Sequence, residues 1–261
     1  MTPRTLVLRT AGTNCEQELA HAFERAGSEV ELIHFNRLIE RPGQLAHFDL
    51  IGFPGGFSYG DDIAAGQIYA HRLRHLLYPA LRNFTAEGKL IIGICNGFQV
   101  LVKCGLLPGF ELPADQPPPQ LATLTDNATP RFTDRWVGLR AESTSRCIWT
   151  RGLERFDLPI AHGEGRFLAE PDVLDRLEQG GQIALRYADN PNGSARDIAG
   201  ICDPTGRVFG LMPHPERFTE ATHHPDWTRT TITDPAGLSI FKQAVQYAAS
   251  RSAPTAVAHG N

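Results

Sequence analysis

Cys95 stands between Gly93 and Gly97 in the stretch "LIIGICNGFQVL", residues 90–101, where one apolar run ends and another begins. The pattern G-x-C-x-G has the spacing of a nucleophile elbow, a sharp strand-to-helix turn. Such a turn holds its central residue in strained dihedrals, and the neighbours two places to either side crowd each other and must be small. The helix that follows offers free N–H groups and the positive end of its dipole, which favour a thiolate. A buried structural cysteine gives the same local pattern, so an elbow reading needs partners elsewhere in the chain.

Two further stretches supply them. In "GLMPHPERF", His214 and Glu216 alternate with Pro213 and Pro215. Proline pushes the residue before it toward extended geometry, and in an extended segment residues i and i+2 point to the same side. The spacing therefore predicts an imidazole oriented by a carboxylate, a base and its orienter beside a nucleophile. In "FPGGFSYGDD", Gly55 and Gly56 end a strand and free the backbone to approach a ligand. Acyl chemistry at Cys95 needs two N–H donors on the developing oxyanion, each worth about 3–4 kcal/mol. The N–H of Asn96 is one candidate, and the Gly55-Gly56 turn is the source of the other.

The elements that must position these groups read as alternating strands and helices. Strands are predicted at residues 5–8, in "EVELIHF", in "FDLIGF" and in "KLIIGIC". Helices are predicted from Asn14 to Gly27, from about Ile63 to Glu87, and in "NGFQVLVKCG". Alternation with near-continuous apolar strands implies a parallel sheet covered on both faces, with ligands at the carboxyl ends of its strands. After the Pro-rich "PADQPPPQ", which reads as a break or extended linker, the pattern changes. "FTDRWVGLRAES", "CIWTRGL", "LPIAHGEGRF", "QIALRY", "IAGICD" and "VFGLMP" read as short strands, with helices at 171–179 and in "GLSIFKQAVQYAAS". The fold class expected is α/β, a mostly parallel central sheet flanked by helices, with an antiparallel strand-rich section in the second half. Residues 1–250 form one domain in this reading, and 251–261 a disordered tail.

Composition narrows the function classes. The chain has 261 residues, 25 basic and 29 acidic, with a net charge of -4, so nothing points to nucleic acid or an anionic membrane. No apolar run approaches a membrane span. The five cysteines form no CxxC pair, which speaks against a zinc site or a thioredoxin motif, and reduced thiols in the cytoplasm are the default. His71 and His75, four apart on a helix without a third ligand, read as a solvated face, as do His223 and His224 in a polar loop; no metal is expected. Cys15 is a second candidate nucleophile, but in a first helical turn without an elbow it reads as structural or near a partner interface.

Taken together, these stretches resemble class I (triad-type) glutamine amidotransferases. "AGTNCEQE", "FPGGFSYGDD", "GICNGFQVL", "AHGEGRF" and "GLMPHPER" are similar, more finely, to the glutaminase subunits of phosphoribosylformylglycinamidine synthases of purine biosynthesis. The resemblance spans residues 11–217; it departs at Phe98, where the family often has a small residue or cysteine, and in the Pro-rich segment. It implies a flavodoxin-like amidotransferase fold and a Cys95, His214, Glu216 triad that releases ammonia from glutamine through a glutamyl thioester. It implies that Gln99 shapes the glutamine pocket. In "AHGEGR", Gly163 and Gly165 around Glu164 point to a tight, exposed loop, either one whose His162, Glu164 and Arg166 face glutamine or a partner or a plain polar β-turn. The resemblance further implies a large ATP-dependent synthetase subunit, using ATP and Mg²⁺ to convert formylglycinamide ribonucleotide to the amidine, a small bridging subunit, and no cofactor in this chain. The alternatives are another synthetase as acceptor, or a free-standing cysteine hydrolase. The hydrolase order places the acid before the histidine, whereas here it follows.

Overall fold

The computed structural model describes residues 1–113 and 116–252. Nine strands form one sheet. In chain order they are β1 (Arg4–Arg9), β2 (Glu29–His34), β3 (Leu50–Phe53), β4 (Leu90–Ile94), β6 (Thr133–Ala141), β7 (Arg155–His162), β9 (Ile183–Tyr187), β10 (Ile198–Cys202) and β11 (Val208–Leu211). The spatial order is β2-β1-β3-β4-β11-β10-β9-β6-β7. The first five pair in parallel, β4 and β11 included. From β11 onward every pairing is antiparallel. The antiparallel section foreseen for the second half thus extends the same sheet. Two shorter strands, β5 (Ala122–Thr125) and β8 (Arg166–Ala169), pair separately.

The helices are α1 (Glu16–Arg25), α2 (Phe35–Glu40), α3 (Gln67–Leu76), α4 (Tyr78–Ala86), α5 (Asn96–Lys103), α6 (Pro171–Gln179) and α7 (Ala236–Ser252). Gly52 faces Leu19 and Phe23 of α1, while Phe53 meets Gly97 of α5. Successive strand residues point to opposite faces, so α1 and α5 cover opposite sides of β3. Phe23 packs edge-on against Phe241 of α7 at 5.0 Å, closing the α1 side. β3 and β4 are buried along their whole length, which explains their unbroken apolar sequences. None of the helices among the described residues is long and apolar enough to cross a membrane.

Several expectations are corrected. The helical stretch 63–87 is two helices, α3 and α4. Pro79 has no N–H to give the His75 carbonyl, so the ladder stops at Leu77. Ile63 lies before α3 at φ 75°. "CIWTRGL" is a turn, not a strand: Ile148 N bonds to Gly206 O, and Trp149 plugs the core with its indole N–H on Arg207 O at 3.0 Å. Helix α2 and strand β5 had no clear signal, being only six and four residues long. The Pro-rich segment is pinned to the helices at both ends of its described part: Tyr78 Oη donates to Pro113 O and Arg74 Nη1 to Pro118 O, both at 2.9 Å. Arg251, where the tail was expected to begin, is still helical and donates to Glu87 O at 2.6 Å; residues 253–261 lie outside the described ones.

The approach of α5 to β3 generates a test. A methyl group on Gly97 would lie 2.1 Å from the Phe53 carbonyl oxygen, whereas one on Gly43 would meet nothing within 4 Å. Gly97→Ala is expected to cost about 3 kcal/mol or more through overpacking, and Gly43→Ala to be neutral or slightly stabilising. Urea midpoints of the two variants check this.

Candidate active site

Loops at the carboxyl ends of four parallel strands build one cavity of about 330 Å³, within the range of small-molecule sites. Asn14 and Cys15 come from the end of β1, Gly56 and Phe57 from β3, Cys95 from β4 and His214 from β11. The β7–β8 turn adds His162, Gly163 and Glu164, and the start of β6 adds Phe132 and Asp134. Such a position is where open parallel sheets place ligands.

Cys95 has φ 51° and ψ -106°, a conformation that L-residues avoid. Its N–H is held by Leu211 O at 2.8 Å and its carbonyl by Gln99 N at 3.1 Å. A methyl group on Gly93 would sit 2.6 Å from Gly97 O, so the crowding expected at both glycines is present. The Cys95 thiol faces Ala161 O at 3.7 Å. Asn96, directly after it, occupies the first turn of α5, where backbone N–H groups have no intrahelical partner.

His214 Nδ1 donates to Glu216 Oε1 at 2.6 Å, with both side chains buried. The expected extended segment is instead a 3₁₀ turn over Pro215–Arg217, with His214 at its N-cap. Proline at the first position suits such a turn, and the carboxylate reaches the imidazole by folding back. His214 Nε2 is buried and without a hydrogen-bond acceptor or donor partner of good geometry. Burial pulls the imidazole pKa down, but Glu216 first, then the Cys95 and Cys15 sulfurs, outweigh it and hold it well above the usual histidine value. A methyl group placed on Gly55 would come within 2.9 Å of His214 Cε1, 3.2 Å of Cys15 Sγ and 3.6 Å of Cys95 Cβ. One small space is therefore bounded by all three side chains. Gly56, at φ 135°, is packed onto the Gly12–Asn14 backbone, and Asn14 N donates to Gly55 O at 3.4 Å.

Cys15 corrects the sequence reading. It is the N-cap of α1 and lines the cavity, with Arg217 Nη2 donating to its sulfur at 3.3 Å. Its ligand atom, one from His214 and one from Glu216 lie within 4.8 Å of one another, so the bonded His214–Glu216 pair has this second thiol beside it. Burial raises the Cys15 pKa, which keeps it protonated and a poor nucleophile.

The "AHGEGR" turn is folded over the cavity rather than exposed. Gly165 is buried beneath the His162 ring, whose atoms a methyl group there would meet at 2.3 Å. His162 Nδ1 donates to Asn127 Oδ1 at 3.1 Å, and Glu164 accepts from Ala65 N at 3.1 Å. Gln99 Nε2 donates to Glu164 O at 2.6 Å, tying α5 to this turn. Arg166 leaves the site and donates to Gly193 O. His71 and His75 lie against each other, their rings tilted by 56° with centroids 4.3 Å apart, on an exposed face of α3. His224, expected in a polar loop, instead packs on Trp136 and Phe218. Asp61 and Arg217 sat in quoted motifs without a role, and Asn127, Phe132 and Asp134 come from a stretch with no motif.

The CobB/CobQ-like glutamine amidotransferase domain matches residues 2–248. A phosphoribosylformylglycinamidine synthase subunit PurQ from Dehalococcoides mccartyi is 46% identical, over 94% of this chain and 97% of its own. One from Treponema denticola is 44% identical, over 95% and 99%. The chain belongs to the PurQ family of glutamine amidotransferases. A solved PurLQS chain from Thermotoga maritima, 33% identical, superposes with a TM-score of 0.75 over 95% of this chain and 99% of that one. A glutamine amidotransferase from the same organism, 15% identical with a TM-score of 0.55, shares the fold.

In this family member the two buried histidines carry opposite pH signatures. Burial first, and His214 second, push His162 down to about 4. Below pH about 6.5 the unfolded chain takes up a proton that the folded chain refuses until about 4, so stability falls across that window by up to about 3 kcal/mol. His214, shifted up, contributes stability that is complete below about 6.5 and is lost as pH rises toward its folded value. His162→Gln is expected to flatten the stability profile between pH 6.5 and 4, and His214→Gln to flatten it above 6.5; urea titrations at each pH measure both.

Proposed function

We propose that the chain hydrolyses glutamine at Cys95 and passes the ammonia to a synthetase subunit that makes formylglycinamidine ribonucleotide from formylglycinamide ribonucleotide with ATP, in the cytoplasm. One observation carries the reading: a thiol on a strained elbow shares a small cavity with an imidazole bonded at 2.6 Å to a buried carboxylate. The names and coverage of its relatives support the acceptor.

The Cys95 thiolate attacks the side-chain amide carbon of glutamine. His214, charged by taking the thiol proton, gives a proton to the departing ammonia, and a glutamyl thioester remains. Water, deprotonated by His214, then attacks the thioester carbonyl; the C–S bond breaks, glutamate leaves, and Cys95 is returned as thiolate beside protonated His214. Glu216 fixes the tautomer and stabilises the imidazolium, as the acid of a triad does. The Asn96 N–H and the Gly55-Gly56 turn take the oxyanion. These steps use only groups of this chain, glutamine and water; ATP and Mg²⁺ belong to the synthetase. A small bridging subunit completes the complex.

Cys95→Ala is expected to abolish glutamine-dependent synthesis while synthesis from added ammonia survives, because the synthetase site is separate. His214→Ala should lower glutaminase turnover by about a thousandfold, and Glu216→Ala by less. Retention of glutamine use by Cys95→Ala would remove the nucleophile. The chain alone should release glutamate slowly, since ammonia freed into neutral water is protonated and lost as a nucleophile. Glutamate release should rise when the synthetase and its substrates are present.

A further inference from the structure

The turn after Gly56 is the most strained stretch of the described chain. Tyr59, Asp61 and Ile63 all have positive φ, at 57°, 51° and 75°, within five residues. Each such residue costs on the order of 1–3 kcal/mol and persists only where its surroundings hold it. What Asp61 is held to is the residue following the nucleophile. Asn96 Nδ2 donates to Asp61 Oδ1 at 3.1 Å, and Gly66 N donates to the same oxygen at 3.2 Å. Ser58 N donates to Asn96 Oδ1 at 3.2 Å, and the second Asn96 amide hydrogen goes to Gln99 Oε1 at 3.0 Å. Asn96 is buried, and its carboxamide is held at its oxygen by Ser58 and at its nitrogen by Asp61, both of the 58–66 loop.

Resting on the glutaminase reading above, we infer that Asp61 is a positioning residue: through the Asn96 carboxamide it fixes the peptide that joins Asn96 to Cys95 and aims its N–H at the oxyanion. Two side-chain torsions separate that carboxamide from the backbone, so clamping it leaves the peptide little freedom. Donors of this kind act only if they are aligned before charge develops, and small displacements cost large factors in rate. The strained loop is the means of bringing a carboxylate to Asn96, and the acceptor oxygen, not the negative charge, is what the geometry uses.

Asp61 also lines the cavity, so a direct contact with the substrate ammonium is the competing role. The two roles separate in the glutaminase kinetics of the reconstituted complex, with Cys95→Ala as the blank and ammonia-dependent synthesis as the control. Asp61→Ala, which removes the acceptor, should lower kcat tenfold to a hundredfold with KM within about twofold, leaving ammonia-dependent synthesis intact. Asp61→Asn keeps an acceptor oxygen and should stay within about threefold of the parent. Asn96→Asp sets two carboxylates against each other and should lose at least as much as Asp61→Ala. The exchanged pair, Asp61→Asn with Asn96→Asp, restores a donor facing an acceptor between the two side chains while giving up the bond from Gly66 N, and should recover at least threefold over Asn96→Asp alone.

A rise in KM with kcat kept, equal damage from Asp61→Asn and Asp61→Ala, or no recovery in the exchanged pair would each overturn the inference. If Asp61→Ala does not fold, the exchanged pair alone decides it. A parent complex whose glutamine use survives Cys95→Ala would instead defeat the underlying reading, so the two failures are distinguishable.

Discussion

Cys95 is held at a backbone conformation that costs on the order of 1–3 kcal/mol, and much of the surrounding structure is arranged to hold it there. The β4–β11 pairing is extended by one bond, from Cys95 N to Leu211 O, which anchors the elbow to the strand that also delivers His214. Helix α5 must leave the elbow immediately and lie against β3, and only glycine at 93 and 97 permits that approach. The Cys95 thiol, the His214 imidazole and the packing of α5 are thus coupled through one junction. Elsewhere among the described residues, positive φ at a non-glycine residue is confined to the 59–63 turn and to Arg196 and Asp197.

The sheet order explains why the site has the membership it has. Chain order reverses between β1 and β3, and the loops leaving β1, β3, β4 and β11 open on the same edge. Residues 15, 55, 95 and 214 therefore meet although some 200 positions separate the first from the last. The antiparallel strands contribute differently. Their β7–β8 turn folds back over the cavity and is tied to α5 through Gln99 and to the loop before α3 through Glu164. Residues with no part in a triad thus close the cavity wall.

Electrostatics divides the two histidines facing this space. The neighbouring carboxylate and sulfurs overcome burial at His214 and favour its cation. His162 is bonded to the neutral amide of Asn127 and feels His214, so burial prevails and it stays neutral. One buried imidazole is poised to carry a proton, and the other is a neutral wall that a charge does not enter.

Much of this was written locally. Glycine spacing around Cys95, the two-residue spacing of His214 and Glu216, and the apolar runs of β3 and β4 follow from short-range rules of backbone geometry and burial, which act within a few residues. The same rules misjudged features settled by distant atoms. Cys15 lies in a stretch that reads as the start of a helix, and only the convergence of β1 and β11 brings its thiol to His214. Trp149 lies in an apolar run that resembles a strand, yet its place is fixed by a core gap beside Phe209 and by the Arg207 carbonyl. Arg166 belongs to a conspicuous motif, but the pleat of β8 turns it to Gly193. Sequence alone determined the elbow at Cys95 and the pairing of His214 with Glu216, because a strained turn and a bonded histidine–carboxylate pair demand particular residue types at fixed short spacings. Only the tertiary structure decided which other side chains stand beside them, because that depends on where separate strands end.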